Sequence, residues 1–206
     1  MTPIKYLINI IFDTGKFPNN LKNSVVFPIH KSGEKKDKNN YRPITVTSSL
    51  TKVVEKCIKK RLTEFLDLNK IISNLQFGFK QNNSTDDAIT RVADFVTESF
   101  EMGLKPLAIF LDLSQAFDTV AHQILLHRLE LAGIRGKALE VFRSYLQDRT
   151  QKVRIGETLI KFKTVEFGVP QGTVLGPVYQ LEGPASNVSI IEPHYGPLNS
   201  SCGSNS

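Results

Sequence analysis

Two cysteines in 206 residues, Cys57 and Cys202, are too few for a disulfide framework or a cysteine-rich metal site, and no disulfide-linked partner is expected. Long hydrophobic runs are missing as well. Nothing approaches the roughly 20 apolar residues that cross a bilayer, so no membrane partner is expected. The apolar start, "MTPIKYLINIIFDTG", lacks the basic region and small-residue cleavage site of a signal peptide. The chain therefore reads as intracellular, with nucleus or cytoplasm left open. Acidic charge is in deficit: 20 Asp and Glu stand against 26 Lys and Arg, giving a net charge of +6. That suits a polyanionic partner, although the excess is moderate and many basic proteins bind no nucleic acid. With 40% hydrophobic and 22% charged residues, the composition excludes wholesale disorder.

The apolar residues that are present fall into short periodic blocks. Ile4, Leu7, Ile8, Ile11 and Phe12 have helical spacing, closed by Gly15. A helix that opens almost at Met1 suggests a chain that begins inside a larger structure. Val25 to Ile29 reads as a short strand, followed by a basic loop with Lys31, Lys35, Lys36, Lys38 and Arg42. That loop is either a solvated surface or a phosphate grip, and the second needs Arg42 held in place. Val54, Ile58, Leu62, Phe65 and Leu66 form the stripe of an amphipathic helix, with Lys56, Lys59, Lys60 and Arg61 mostly off it. A further helix is expected after the N-cap Ser84, with Asp86 and Asp87 in its first turn, Ile89, Val92, Val96 and Phe100 as its stripe, and Gly103 as its stop. Two more helices carry Ile124, Leu125 and Leu129, then Leu139, Phe142 and Leu146. Val153/Ile155 and Ile160/Phe162 alternate about Gly156-Glu157 as a hairpin does. From Tyr179 onward the chain has no Lys or Arg and many Gly, Pro, Ser and Asn residues, which reads as a disordered tail. Strands and helices interleave without a regular βαβ rhythm, so a mixed α/β (α+β) layer fold is expected rather than a doubly wound sheet.

One stretch raises a chemical question. In "PLAIFLDLSQAFDTV" the apolar run Leu107 to Leu111 reads as a buried strand and ends at Asp112. An ionised carboxylate there is costly unless a cation, a basic side chain or the N–H groups of a following helix meet it. Asp118 could be a surface or capping carboxylate, and "GVPQGTVLGP" by itself is either a tight turn or a site.

Order and spacing carry more than any single motif. The blocks "FPNNLKNSVVFPIHKSG", "NNYRPITVTSSLTKVVEK", "QFGFKQNNST", "FLDLSQAFDTV", "GIRGKALEVFRSYLQDR" and "GVPQGTVLGP" occur in that order. The sequence resembles the reverse transcriptase domain of non-LTR (LINE-type) retrotransposons, particularly the Jockey-like elements, over about residues 4 to 178. The resemblance implies a right-hand polymerase: a fingers-like region over 1–105, a partial palm over 106–178, and a tail over 179–206 outside the family. It makes Asp112 the first catalytic aspartate and a ligand of Mg²⁺, with the Leu113 carbonyl completing part of the metal shell. Phe117 is expected under the incoming sugar, Lys31 and Arg42 at the triphosphate, and Gln171 and Gly172 along the nucleotide and template pocket. The implied partners are an RNA template, a DNA primer and a dNTP, whose α-phosphate the primer 3′-OH attacks between two Mg²⁺ ions. Asp118 is expected to be structural.

The family's second catalytic block, an aromatic-Ala-Asp-Asp hairpin beyond "GVPQG", has no counterpart here, because Asp148 is the last aspartate. Two unit charges about 4 Å apart interact by about 4 kcal/mol at an effective dielectric near 20, and two divalent ions repel roughly four times more strongly. One carboxylate is a poor substitute for a cluster. Ala121 also stands where the family usually has an acidic residue before His122. The expectation is a truncated RNA-directed DNA polymerase domain with little or no polymerising activity, its apolar strand 107–111 unpaired at a sheet edge and prone to aggregate. The alternatives are a non-catalytic nucleic-acid-binding remnant and the product of a decayed element with no function.

Overall fold

The computed structural model describes residues 2–78, 80, 82–110, 118–160 and 163–175. Among the described residues, five α-helices and a five-stranded sheet make a mixed α and β architecture, as the unrhythmic interleaving of blocks implies. The helices are α1 (Pro3–Thr14), α2 (Ser49–Leu68), α3 (Thr85–Glu101), α4 (His122–Leu131) and α5 (Gly136–Leu146). The strands are β1 (Asn23–His30), β2 (Tyr41–Val46), β3 (Thr150–Ile155), β4 (Thr158–Leu159) and β5 (Lys163–Thr164).

The sheet runs β2-β1-β3-β4, with β5 also on β3. β1 pairs antiparallel with β2 and parallel with β3, so the sheet is mixed. β2 was not expected: the sequence reads as a basic loop up to Arg42, and Pro43 argues against a strand. Its register explains the tolerance. Pro43 lies opposite Pro28, and Thr45, two residues on, points its N–H away from β1 to Gln171 O, so the proline pair falls on a rung where the β1–β2 ladder needs no N–H. Pro28 lies beyond the β1–β3 pairing, which covers Asn23 to Val26 on β1.

The core is helical. Ile11 of α1, Val54, Ile58, Leu62 and Leu66 of α2, Leu125 and Leu129 of α4, and Leu139, Phe142 and Leu146 of α5 belong to one buried cluster. The expected stripes of α2 and α5 are the observed ones, and Gly15 closes α1 in the left-handed region at φ 72°. Arg61 of α2 lays its guanidinium 3.9 Å over the Phe12 ring of α1, a cation–π contact that ties the first helix down.

Two sequence expectations need correction. α3 forms as read: Ser84 accepts from Asp87 N–H while the Asp87 carboxylate accepts from Ser84 N–H, a reciprocal capping box. Its apolar stripe does not enter the core, since Ile89 is 62% and Phe100 65% exposed and only Ser99 of the helix is buried. The strand expected from Leu107 is also not found in its described part. Residues 104–110 carry no regular structure, and Leu107 and Phe110 are 80% and 73% exposed. A strand persists only where a neighbour completes its hydrogen bonds, and none of the described strands pairs with this segment. Leu111, the tail from Tyr179 and Phe162 of the expected hairpin lie outside the described residues. Among the described residues no helix is long and apolar enough to cross a membrane.

Candidate functional site

The loop of residues 168–175 follows the hairpin and is fixed at several points. Val169 and Leu175 are buried in the helical core, so both ends of the loop are anchored by apolar contact. Near its start, Gly168 N–H donates to Val120 O at 2.8 Å, and His122 Nε2 lies 2.7 Å from Gly168 O. Phe167 pairs across an isolated bridge with Ala121. In the middle, Thr45 N–H of β2 donates to Gln171 O at 2.8 Å. At the far end, Val174 N–H donates to Glu55 Oε2 of α2 at 2.9 Å.

Gly172 is required by this seating. Its φ of +88° lies in the left-handed region, and a Cβ there would stand 3.2 Å from Thr45 O and 3.3 Å from Ile44 Cγ2. Backbone therefore meets backbone along β2. Gln171, one residue earlier, turns its side chain to Asp118: Nε2 donates to both carboxylate oxygens, each at 3.0 Å. Asp118 does not cap α4, whose N-cap is Ala121.

The basic residues sit on the same frame. Arg42 is an exposed residue of β2, opposite Ile29 of β1, and three residues from Thr45. At about 3.3 Å per residue, that places it roughly 10 Å along the strand from the loop's attachment. Lys31 follows β1, and its N–H donates to Asn40 O at 2.8 Å, closing the loop between the strands. The loop has internal order: Asn40 Nδ2 donates to Glu34 O at 3.0 Å, Tyr41 Oη donates to Lys35 O at 2.9 Å, and Asp37 accepts from Asn39 N–H. Gly33, at φ +82°, lies against the Asn40 amide, where a Cβ would meet Nδ2 at 2.6 Å. The lysines project from a shaped turn.

The structure thus brings Gln171, Gly172 and Arg42 onto one strand-and-loop unit, with Lys31 at the neighbouring strand end. Asp112, Leu113 and Phe117 lie outside the described residues. Among the described residues, no group of three His, Cys, Asp or Glu side chains could hold a metal ion.

Sequence reading missed a buried polar network beneath the loop. Glu55 is fully buried; its Oε1 accepts from Tyr145 Oη at 2.8 Å and its Oε2 from Val174 N–H. Arg149, also buried, stacks its guanidinium 4.5 Å over the Tyr145 ring and donates from Nη1 to Tyr145 O at 3.3 Å. Burial raises the Glu55 carboxyl above its ordinary range, partly offset by the Tyr145 and Val174 hydrogen bonds and by Arg149 and Lys52. The signal was present: Glu55 falls within the spacing of Thr51, Val54, Ile58 and Leu62, so a carboxylate interrupts an otherwise inward-facing stripe.

A family model described as reverse transcriptase (RNA-dependent DNA polymerase) matches residues 29–180. The chain is 36% identical over 172 residues to the RNA-directed DNA polymerase from mobile element jockey of Drosophila melanogaster, covering 83% of this chain and 19% of that protein. It is 34% identical over 173 residues to a probable RNA-directed DNA polymerase from transposon BS of the same organism, covering 84% of this chain and 19% of the relative. A retrovirus-related Pol polyprotein from type-1 retrotransposable element R2 of Popillia japonica is 27% identical over 150 residues, 72% of this chain and 20% of that one. The chain spans about a fifth of the length of these curated relatives.

Proposed function

The chain belongs to the reverse transcriptase family of mobile elements, and from that premise we propose that β2 and the loop of residues 168–175 form one wall of a nucleotide pocket. Gln171 and Gly172 line it, and Arg42 and Lys31 reach the triphosphate of a bound dNTP. Phe117 lies under the sugar. Asp112 and the Leu113 carbonyl supply the protein ligands of Mg²⁺, which when bound offsets charge on the transferring phosphate. Residues 1–105 act as a fingers-like region and 106–178 as a partial palm, with an RNA template and DNA primer as partners.

The observation that carries this reading is the bond from Thr45 N–H to Gln171 O. It joins the loop to the strand that bears Arg42, so closely that a Cβ at Gly172 would stand 3.2 Å from Thr45 O.

Polymerisation by these 206 residues alone is not expected, since no aspartate follows Asp148. The test has two arms. Labelled dATP with Mg²⁺ should bind the protein, and Arg42→Ala should weaken binding about tenfold, the loss of one charge-assisted hydrogen bond. Absence of binding, or equal binding by the variant, overturns the pocket. Incubation with a primed RNA template and dNTPs should give no extension; extension abolished by Asp112→Ala would overturn that half.

The internal order of the basic loop favours a second reading, in which the chain grips nucleic acid without catalysis. Replacing Lys35, Lys36 and Lys38 with Ala should then weaken RNA binding and flatten its salt dependence by about 0.7 in log–log slope for each phosphate no longer neutralised. An unaltered slope leaves those lysines merely solvated.

A further inference from the structure

Glu55 and Tyr145 hold the loop from below, and their geometry asks for an explanation that stability does not supply. A buried carboxylate is a poor way to stabilise a core, because an apolar residue of similar volume is often as good or better. Glu55 nonetheless sits within the inward-facing stripe of α2, with both oxygens occupied. One oxygen reaches α5 through Tyr145, and the other reaches the loop through Val174 N–H.

The pair is itself rigidly framed. Phe17 meets the Tyr145 ring edge-on, with centroids 5.0 Å apart and planes at 87°, while Arg149 covers the ring. Thr173 closes the turn by donating from Oγ1 to Pro170 O at 2.8 Å. The backbone between Pro170 and Val174 is thus clamped at two places three residues apart: Gln171 O to β2, and Val174 N–H to Glu55. Gln171 is one clamped point, and Gly172 lies between the two.

We infer that Glu55 and Tyr145 are positioning residues, a buried latch that sets the loop against β2 and so fixes where Gln171 and Gly172 stand. The consequence for ligand binding rests on the reading of that loop as a nucleotide-pocket wall; the latch itself does not. Neither residue is placed in contact with nucleotide. They act through the backbone of residues 170–174, and Arg149 orients Tyr145.

The test reads amide hydrogen exchange at single residues by NMR in the full chain, together with dATP binding in Mg²⁺. Glu55→Met should speed exchange of the Val174 amide about tenfold, the loss of one buried hydrogen bond. It should also speed the Thr45 amide, which Glu55 does not touch, while the thermal midpoint holds or rises. Tyr145→Phe should give a smaller change of the same kind and keeps the test available should Glu55→Met fold poorly. Glu55→Gln should restore most of the protection, because its carbonyl can accept from Val174 N–H while its NH₂ donates to Tyr145 Oη. Weaker dATP binding should follow the exchange rates across the three variants. Unchanged exchange at Val174 and Thr45 in Glu55→Met overturns the latch. So does loss of protection spread evenly over the core with a lowered midpoint, or a Gln variant no better than Met. A wild-type chain that binds no dATP sinks the pocket reading, and the exchange rates then decide the latch alone.

Discussion

The loop of residues 168–175 and the helix α3 differ both in their sequence signals and in what holds them, and the two do not run together. The loop has two glycines, a proline and no periodicity, yet both its ends enter the core and its backbone is bonded to β2, to α2 and to the start of α4. Helix α3 has a capping box and a regular apolar stripe, yet among its residues only Ser99 is buried. Local signals decided that α3 is a helix. They did not decide that it belongs to the core, because burial depends on what lies opposite.

The largest test of this contrast is a pair of truncations. Leu146→Ala, at a fully buried site of α5, should cost about 2–5 kcal/mol in denaturant unfolding. Phe100→Ala on α3 should change stability by no more than about 0.5 kcal/mol, despite removing a larger side chain. Comparable losses would mean that α3 is packed in solution. A second pair compares glycines that both have positive φ. Gly172→Ala should cost about 1–3 kcal/mol, since strain adds to a collision with the β2 backbone. Gly103→Ala, at φ +71° with open space around it, should cost about 1 kcal/mol. Equal effects would show that the close approach of loop and strand is unimportant.

The smallest expected effect separates the two regions by pH. The two Ser84 hydrogen bonds hold the Asp87 carboxyl below its ordinary range. Its contribution to α3 is therefore present above the ordinary aspartate value and lost as pH falls through the lowered one. Glu55 runs the other way: burial raises its carboxyl, so its contribution is greatest in acid and declines as pH rises through the raised value. Acid titration followed by amide exchange should fray the first turn of α3 before it loosens Val174. The reverse order would contradict both assignments.

Much of the fold was legible because its signals are local. Gly15, Ser84 and the stripes of α1, α2 and α5 need only the residues around them. The hairpin about Gly156-Glu157 is of the same kind. What the sequence concealed is long-range. Residues 107–110 have the composition of a strand, but no described strand pairs with them. β2 has a proline within it, harmless because in this register its nitrogen faces away from β1, as the Thr45 N–H does. At the site, Gln171, Gly172 and Arg42 were nameable from the motifs, and the bond from Thr45 to Gln171 was not. Nor was the partnership of Asp118 with Gln171, across 53 residues of chain.

The proline rung has a bearing on how copies of this chain meet one another. β2 is the outer strand of the sheet, the place where a second molecule would add a strand, and the loop of residues 168–175 already occupies it at Thr45. Pro43 offers no N–H there, and the exposed Arg42 puts a charge beside it. A strand arriving in register would find one bond missing and a like charge facing its own. Self-association should therefore favour the exposed apolar surface of residues 107–110 over the sheet margin, giving loose hydrophobic clusters in preference to ordered β-stacks.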